Sequence, residues 1–467
     1  MTTRRNVLIV LFLALALRLA YVGFVGHDAS NLYAPDSRMY NMLADDMLSS
    51  GGFNRRVGSG VAFVPETERV PVYVAYLAAI RAVFGQSPVW PAIGQCLFDA
   101  ITCVGIGMLA ARFRADLFLL AGACAVFNLN LIVHSAMILS DSLFLLPFTL
   151  MLLCTVRFIQ KPTLSDALLA GCCVALALLT RSILLYFVPV LFLVVVLAAH
   201  RHAAGASRMV RYVAACALPL VLLVGPLIQR NYSTYGHFSL VSQGGTHGLF
   251  WVVPLAREFS RGVPFARTQD EMRQSLASYL SSRGLEEPLN NPFESSALHM
   301  RVAMQALRDM SIGELALAWA VGAGINLFAP SVASVPFVSQ MDRPRFYATP
   351  GDSPVGKIWN MLRESQGISY LAWIIPAGLF TVFIRCLQAW GIRHLAGAQA
   401  GTAGPLIFLL VVIVYVLVIT GPLVGVKYRL PLEPILMVGL AAGLHALYER
   451  IVARKLPEGG TEPSCAA

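Results

Sequence analysis

Long apolar stretches alternate with short polar joints along most of the chain. Ten runs reach the roughly 17–25 residues a helix needs to cross a bilayer: 7–25, 91–111, 117–134, 142–158, 164–180, 183–199, 211–228, 368–386, 405–423 and 433–448. Backbone amides in lipid must be satisfied within their own segment, so these runs predict helices. A further apolar stretch, 312–328, is followed by Pro330 and Pro336. A re-entrant or interfacial helix is expected there, because a crossing would reverse the side of every later connector. The expected class is an all-α polytopic membrane protein with about ten (10–13) transmembrane helices and juxtamembrane helices on one side.

The charge pattern sets the order. If the N-terminus is inside, the inside connectors hold Arg4 and Arg5; Arg112 and Arg114; Arg157 and Lys161; Arg201, Arg208 and Arg211; Arg385 and Arg393; then Arg450, Arg454 and Lys455. Cytoplasmic loops carry such an excess. Both termini are therefore expected in the cytoplasm, with 26–90 and 229–367 on the outer side of the inner (plasma) membrane. The chain divides into an N-terminal membrane module (1–228) containing the first outer loop, an outer segment (229–367), C-terminal membrane helices (368–454) and a disordered tail (455–467). Arg4 and Arg5 before an apolar run also suit a signal peptide. The run is long for one and no small-x-small cleavage site follows, so an uncleaved first span is expected.

Composition agrees. The chain is 57% hydrophobic and 13% charged, against about 25% charged in soluble domains. The net charge of +10 fits topology and contact with membrane lipids, and no basic, aromatic-interleaved surface suggests nucleic acid. Eight of nine cysteines fall in or beside apolar runs, Cys465 lies in the tail, and there is no CxxC pair; they read as small buried hydrophobes. No zinc spacing, phosphate-binding glycine loop or nucleophile elbow occurs.

Candidate chemistry gathers on the outer side. Asp36 opens the amphipathic stretch Asp36-Ser37-Arg38-Met39-Tyr40, as an N-cap or as a base at the membrane surface. Arg69 precedes Pro71 and Tyr73, and Asp141 begins the fourth span. Arg181, Arg230-Asn231-Tyr232, and Lys427-Tyr428-Arg429-Leu430-Pro431 complete the set. Each cation could snorkel to headgroups. Yet short outer loops should lack cations, and Arg181, Lys427 and Arg429 are therefore functional candidates. Arg18 and Asp99 lie inside spans, as a buried pair or as a proton relay. His134, His237 and His247 are scattered.

The order of these motifs resembles the protein O-mannosyltransferase-like branch of the C-type glycosyltransferases, which includes the lipid A aminoarabinose transferases. The resemblance spans nearly the whole chain, although no single motif is specific. It implies C-type glycosyltransferase architecture, an outer active site, a polyprenyl-phosphate sugar donor, inversion at the anomeric carbon, and a glycan, lipid or protein acceptor. It matches Asp36 to the first-loop catalytic acid, Asp141 to the second-loop acid, and Lys427 and Arg429 to the basic motif before the last span. Only Asp36 stands where relatives often have two adjacent acids. Gly245-Thr246-His247-Gly248 departs from their Gly-Gly-x-Asn.

The residues suit that chemistry. A departing phosphate needs cations, for which Arg69, Arg181, Lys427 and Arg429 are candidates, and an acceptor hydroxyl needs a base. Tyr40, Tyr73, Arg230 and Tyr428 would line the pocket. No cofactor is expected; distant relatives use a divalent metal, which this chemistry does not require. The rivals are a secondary transporter or flippase of lipid-linked sugars, with Arg18 and Asp99 on its path, and an O-antigen ligase or polymerase, which leaves the first-loop acid unexplained. Large outer segments and the lack of an inverted repeat argue against the transporter.

Overall fold

All ten apolar runs are helical in the computed structural model, which describes residues 4–58, 62–285, 289–341, 349–364, 367–398 and 401–455. The tail 456–467 lies outside the described residues. The N-terminal body contains α1 (Arg4–Val25), α2 (Ser37–Ser50), a hairpin of β1 (Asn54–Arg56) and β2 (Phe63–Pro65), and α3 (Pro71–Phe84). It continues with α4 (Val89–Ala111), α5 (Leu117–Val126), α6 (Leu129–Ala136), α7 (Asp141–Gln160), α8 (Leu164–Thr180), α9 (Val188–Arg201), α10 (Ala206–Pro219) and α11 (Gly225–Tyr235). A π-helical turn joins the last two into one helix, Ala206–Tyr235. Then follow α12 (Gly244–His247), α13 (Val253–Arg261), α14 (Phe265–Ser281), α15 (Pro292–Arg308), α16 (Ile312–Phe328), α17 (Pro336–Ser339) and α18 (Pro354–Glu364). The chain closes with α19 (Gly367–Ala398), α20 (Ala403–Thr420) and α21 (Glu433–Lys455). Among the described residues eight helices are long and apolar enough to cross a bilayer, and up to ten if each bent pair counts as one span.

The third apolar run is broken: α5 and α6 meet at 52°. Asn128 caps α6 through Leu131 N at 3.1 Å, but the break strips the Val126 carbonyl of a helical donor and leaves Ala125 O the turn bond from Asn128 N at 3.3 Å. A buried carbonyl without a partner is costly. Arg18 supplies the donors, Nη2 to Ala125 O at 3.0 Å and Nη1 to Val126 O at 2.8 Å, while Nε meets Asp99 Oδ2 at 2.5 Å. The intramembrane ion pair is thus a splint for a bent span.

Helix α16 is tied to the body at both ends and along its length. At its start a capping box joins Ser311 and Glu314, and Arg261 of α13 reaches Glu314 at 2.6 Å. Along its length Trp319 Nε1 donates to Val418 O at 3.1 Å, and Gly322 packs on the end of α20, where an added Cβ would lie 2.5 Å from Gly421 O. The following segment packs Val332, Val335 and Val338 beside Tyr21, near the end of α1. Helix α15 meets α16 at 110°.

One connector assignment changes. Arg385 was expected in a basic loop, but α19 runs for 32 residues and carries it mid-helix. There its Nε donates to Leu327 O at 2.9 Å. The apolar run simply continues past the arginine, whose charge is spent on a carbonyl at the end of α16.

Candidate active site

Helix α2 begins at Asp36, yet Asp36 does not cap it. Its backbone is already helical (φ −75°, ψ −16°) and its side chain bonds no amide of the first turn. The carboxylate reaches instead across almost the whole sequence to Lys427, with Nζ–Oδ2 at 2.9 Å. Lys427 is presented by the 3₁₀ turn Val426–Leu432. The turn follows Gly425, whose φ of 152° few other residues adopt, and whose amide is held by Asn326 Oδ1 at 2.9 Å.

Neighbouring loops fix Asp36 from below. Ser37 Oγ donates to Ile138 O at 2.7 Å and accepts from Ala34 N at 2.8 Å. Ile138 N donates to Leu32 O at 2.8 Å. Tyr40 OH lies 3.1 Å from Ser140 Oγ. The first and second loops on this side are thereby stitched together, and Asp141, one residue on, is brought in with them. Asp141 is buried in the first turn of α7 and bonded to Arg181 Nη1.

Arg69 enters from the third direction. Its guanidinium stands 5.9 Å from the centre of the Tyr40 ring, and its buried Nε has no hydrogen-bond partner. Tyr73 lies behind Tyr40, rings edge to face at 4.9 Å, with its hydroxyl on Gln95 Oε1 at 2.7 Å. Tyr428 sets its ring 5.4 Å from Lys427 Nζ.

Two of the expected residues have other duties. Arg429 is buried, with Nε on Glu433 at 2.8 Å, Nη1 on the carbonyls of Asn326 and Ala329 at 3.1 and 2.8 Å, and Nη2 on Ser331 Oγ at 2.8 Å. It anchors the end of α16 to the last span, and this leaves it no direction in which to meet a phosphate. Arg230 lies over the Phe53 ring, donates to Phe53 O at 3.0 Å and Glu66 O at 2.5 Å, and so clamps the hairpin loop. Both were placed by their charge on one side of the membrane, a signal that does not show whether a guanidinium is already engaged.

The reading of the motifs passed over His247. Thr67 and Ser242 are bonded hydroxyl to hydroxyl at 2.9 Å, with Ser242 N on Thr67 O at 2.8 Å, which brings α12 beside Arg69. Gly245 lies so close to α15 that a Cβ would fall 1.8 Å from Ser296 O. His247 bonds Gln243 Nε2 at 2.8 Å. Burial, then the nearby Arg69, holds its imidazole below the usual range and neutral, with Asp36, Lys427 and Glu68 also in its field. The glycine pair just before it was the available signal.

The electrostatics favour an anion. Burial alone would raise the Asp36 carboxyl, but Lys427, then Arg69 and Arg181, hold it below its ordinary 3.8. Two carboxylates therefore face three cations. Among the described residues no three His, Cys, Asp or Glu side chains gather as metal ligands. His247 and Glu68 border the site.

Residues 68–227 match the family model described as dolichyl-phosphate-mannose-protein mannosyltransferase. The match holds Arg69, Tyr73, Asp141 and Arg181. No curated protein matches the chain in sequence. Among solved structures it is similar to ArnT from Cupriavidus metallidurans bound to undecaprenyl phosphate, at 15% identity and TM-score 0.39, covering 97% of this chain and 81% of that one. The apo ArnT gives 15% and 0.34, covering 97% and 80%. The apo oligosaccharyltransferase of Archaeoglobus fulgidus gives 11% and 0.49, covering 96% of this chain and 51% of that one. These likenesses are distant and carry no residue correspondence.

Proposed function

We propose that the chain is an inverting glycosyltransferase that moves a sugar from a polyprenyl-phosphate donor to an acceptor hydroxyl at the outer face of the inner membrane. The observation that carries the proposal is the Asp36–Lys427 contact at 2.9 Å, set beside the unpaired Nε of Arg69. A base and a phosphate clamp stand together at the mouth of a lipid-facing body. Lys427 and Arg69 would hold the departing phosphate. Arg181, fixed by Asp141, would add positive field. Asp36 would take the proton of the acceptor hydroxyl as it attacks C1 from the face opposite the phosphate.

The pairing has a further consequence. With no donor bound, Lys427 makes Asp36 a weak base. A phosphate competing for Lys427 would loosen that hold and raise the carboxyl's basicity when the donor arrives. The rival transport reading finds no support in Arg18 and Asp99, because the guanidinium is bound to the carbonyls of the α5–α6 break.

Asp36→Asn tests the reading. Asp36 makes no cap bond, so folding should be close to unchanged. Transfer from a polyprenyl-phosphate sugar should fall at least about a hundredfold, within the roughly 10²–10⁴ that general bases contribute. Near-normal transfer by a normally melting Asp36→Asn protein would remove Asp36 from catalysis. Orientation has its own check. Ser282, exposed at the end of α14, should react as Ser282→Cys with an impermeant maleimide in intact spheroplasts. Reaction only after permeabilisation would turn the protein over.

A further inference from the structure

At the ends of α19 and α21 remote from Asp36 lies a groove of about 290 Å³ lined by Trp390, Arg393, His394, Gly397 and Arg450. The four α19 residues stand at i, i+3, i+4 and i+7, one face of a helix. The two helices cross in backbone contact. A Cβ on Gly391 would fall 1.9 Å from Gly439 O and 2.4 Å from Gly443 N, and Gly439 and Gly443 form the small-xxx-small spacing of tight membrane crossings. That crossing sets Arg450 against Trp390, 4.9 Å from the ring centre.

Charge in the groove is uncompensated. Neither Arg393 nor Arg450 has an ion-pair partner among the described residues. The nearest carboxylate, Glu449, is drawn off by Arg114 at 3.2 Å and His445 at 3.5 Å, with His394 at 3.9 Å. Beside the groove Leu447, Tyr448 and Ile451 present exposed apolar surface. From Glu433 to Arg450 a helix rises about 25 Å, which sets the groove at the opposite membrane boundary from the site. A tryptophan ring, two free guanidinium groups and an apolar flank at that level suit a phosphate headgroup whose acyl chains run along the helices.

We propose that this groove binds the phosphate headgroup of an anionic phospholipid. The test is native mass spectrometry of the full-length protein in neutral detergent, titrated with phosphatidylglycerol or phosphatidylcholine. The wild type should retain phosphatidylglycerol preferentially, and the double variant Arg393→Gln/Arg450→Gln should lower that retention about tenfold. Arg393→Lys/Arg450→Lys should keep most of it, which separates charge from packing. Trp390→Leu should lower it only about two- to threefold. Equal retention by the wild type and the Gln variant would overturn the proposal. So would displacement by millimolar inorganic phosphate, which would make the groove a site for a soluble anion. Transfer activity should not change in either pair of variants, since the site of Asp36 and Lys427 lies at the other end of α21.

Discussion

The buried ion pairs of Arg18 and Arg429 and the half-exposed pair of Asp36 and Lys427 differ in how much of their cations' hydrogen-bonding capacity is used. Buried in the helical body, Arg18 gives donors to Asp99 and to two backbone carbonyls, and Arg429 gives its own to Glu433, backbone carbonyls and Ser331. At the membrane surface Lys427 holds Asp36 while both stay partly exposed, and Arg69 keeps a buried Nε with no partner. The cations whose donors are filled mend breaks in helices. The unsaturated ones have capacity left for a ligand. Residue type does not separate the two kinds; the number of unfilled donors does.

The sharpest way to break this contrast is to remove a saturated partner. Arg18→Leu should destabilise the protein by about 3–5 kcal/mol, the usual cost of stranding a buried charge, with the Val126 carbonyl left unpaired besides. Thermal unfolding in detergent would show it as a large fall in melting temperature. Adding Asp99→Leu should recover part of the loss, since both charges then leave together. A single variant that melts like the wild type would show that the bend of α5 and α6 needs no splint.

Next comes Lys427→Met against Arg429→Met. The first should lower kcat/KM for the donor by about 10²-fold, as expected for one lost electrostatic contact, with the melting temperature nearly kept. The second should lower the melting temperature and reduce activity only through the loss of folded protein. Both residues belong to one five-residue motif, so the opposite outcome would exchange their roles and return Arg429 to the phosphate site.

The smallest effect concerns pH. A carboxyl held below its ordinary value stabilises the fold above its unfolded pKa, and that contribution is lost as pH falls through the lowered folded value. For Asp36 both lie at or below 3.8. The melting difference between wild type and Asp36→Asn should therefore stay constant from pH 7 to 5. A difference that shrinks within that range would place the carboxyl higher and loosen its tie to Lys427.

Much of this was legible in the chain. The ten apolar runs are all helices. His247 and the engagement of Arg230 were not legible, because the contacts that place them join segments more than 150 residues apart.

Lipid enforces the first kind of information. A backbone with no water must bond to itself locally, so length and apolarity determine a span wherever they occur. The bond between Asp36 and Lys427 crosses 391 positions of sequence, and no local rule reaches so far. Which cation is spent on a carbonyl and which stays open for an anion depends on what the packing brings within about 3 Å of each donor, and only the tertiary structure decided that.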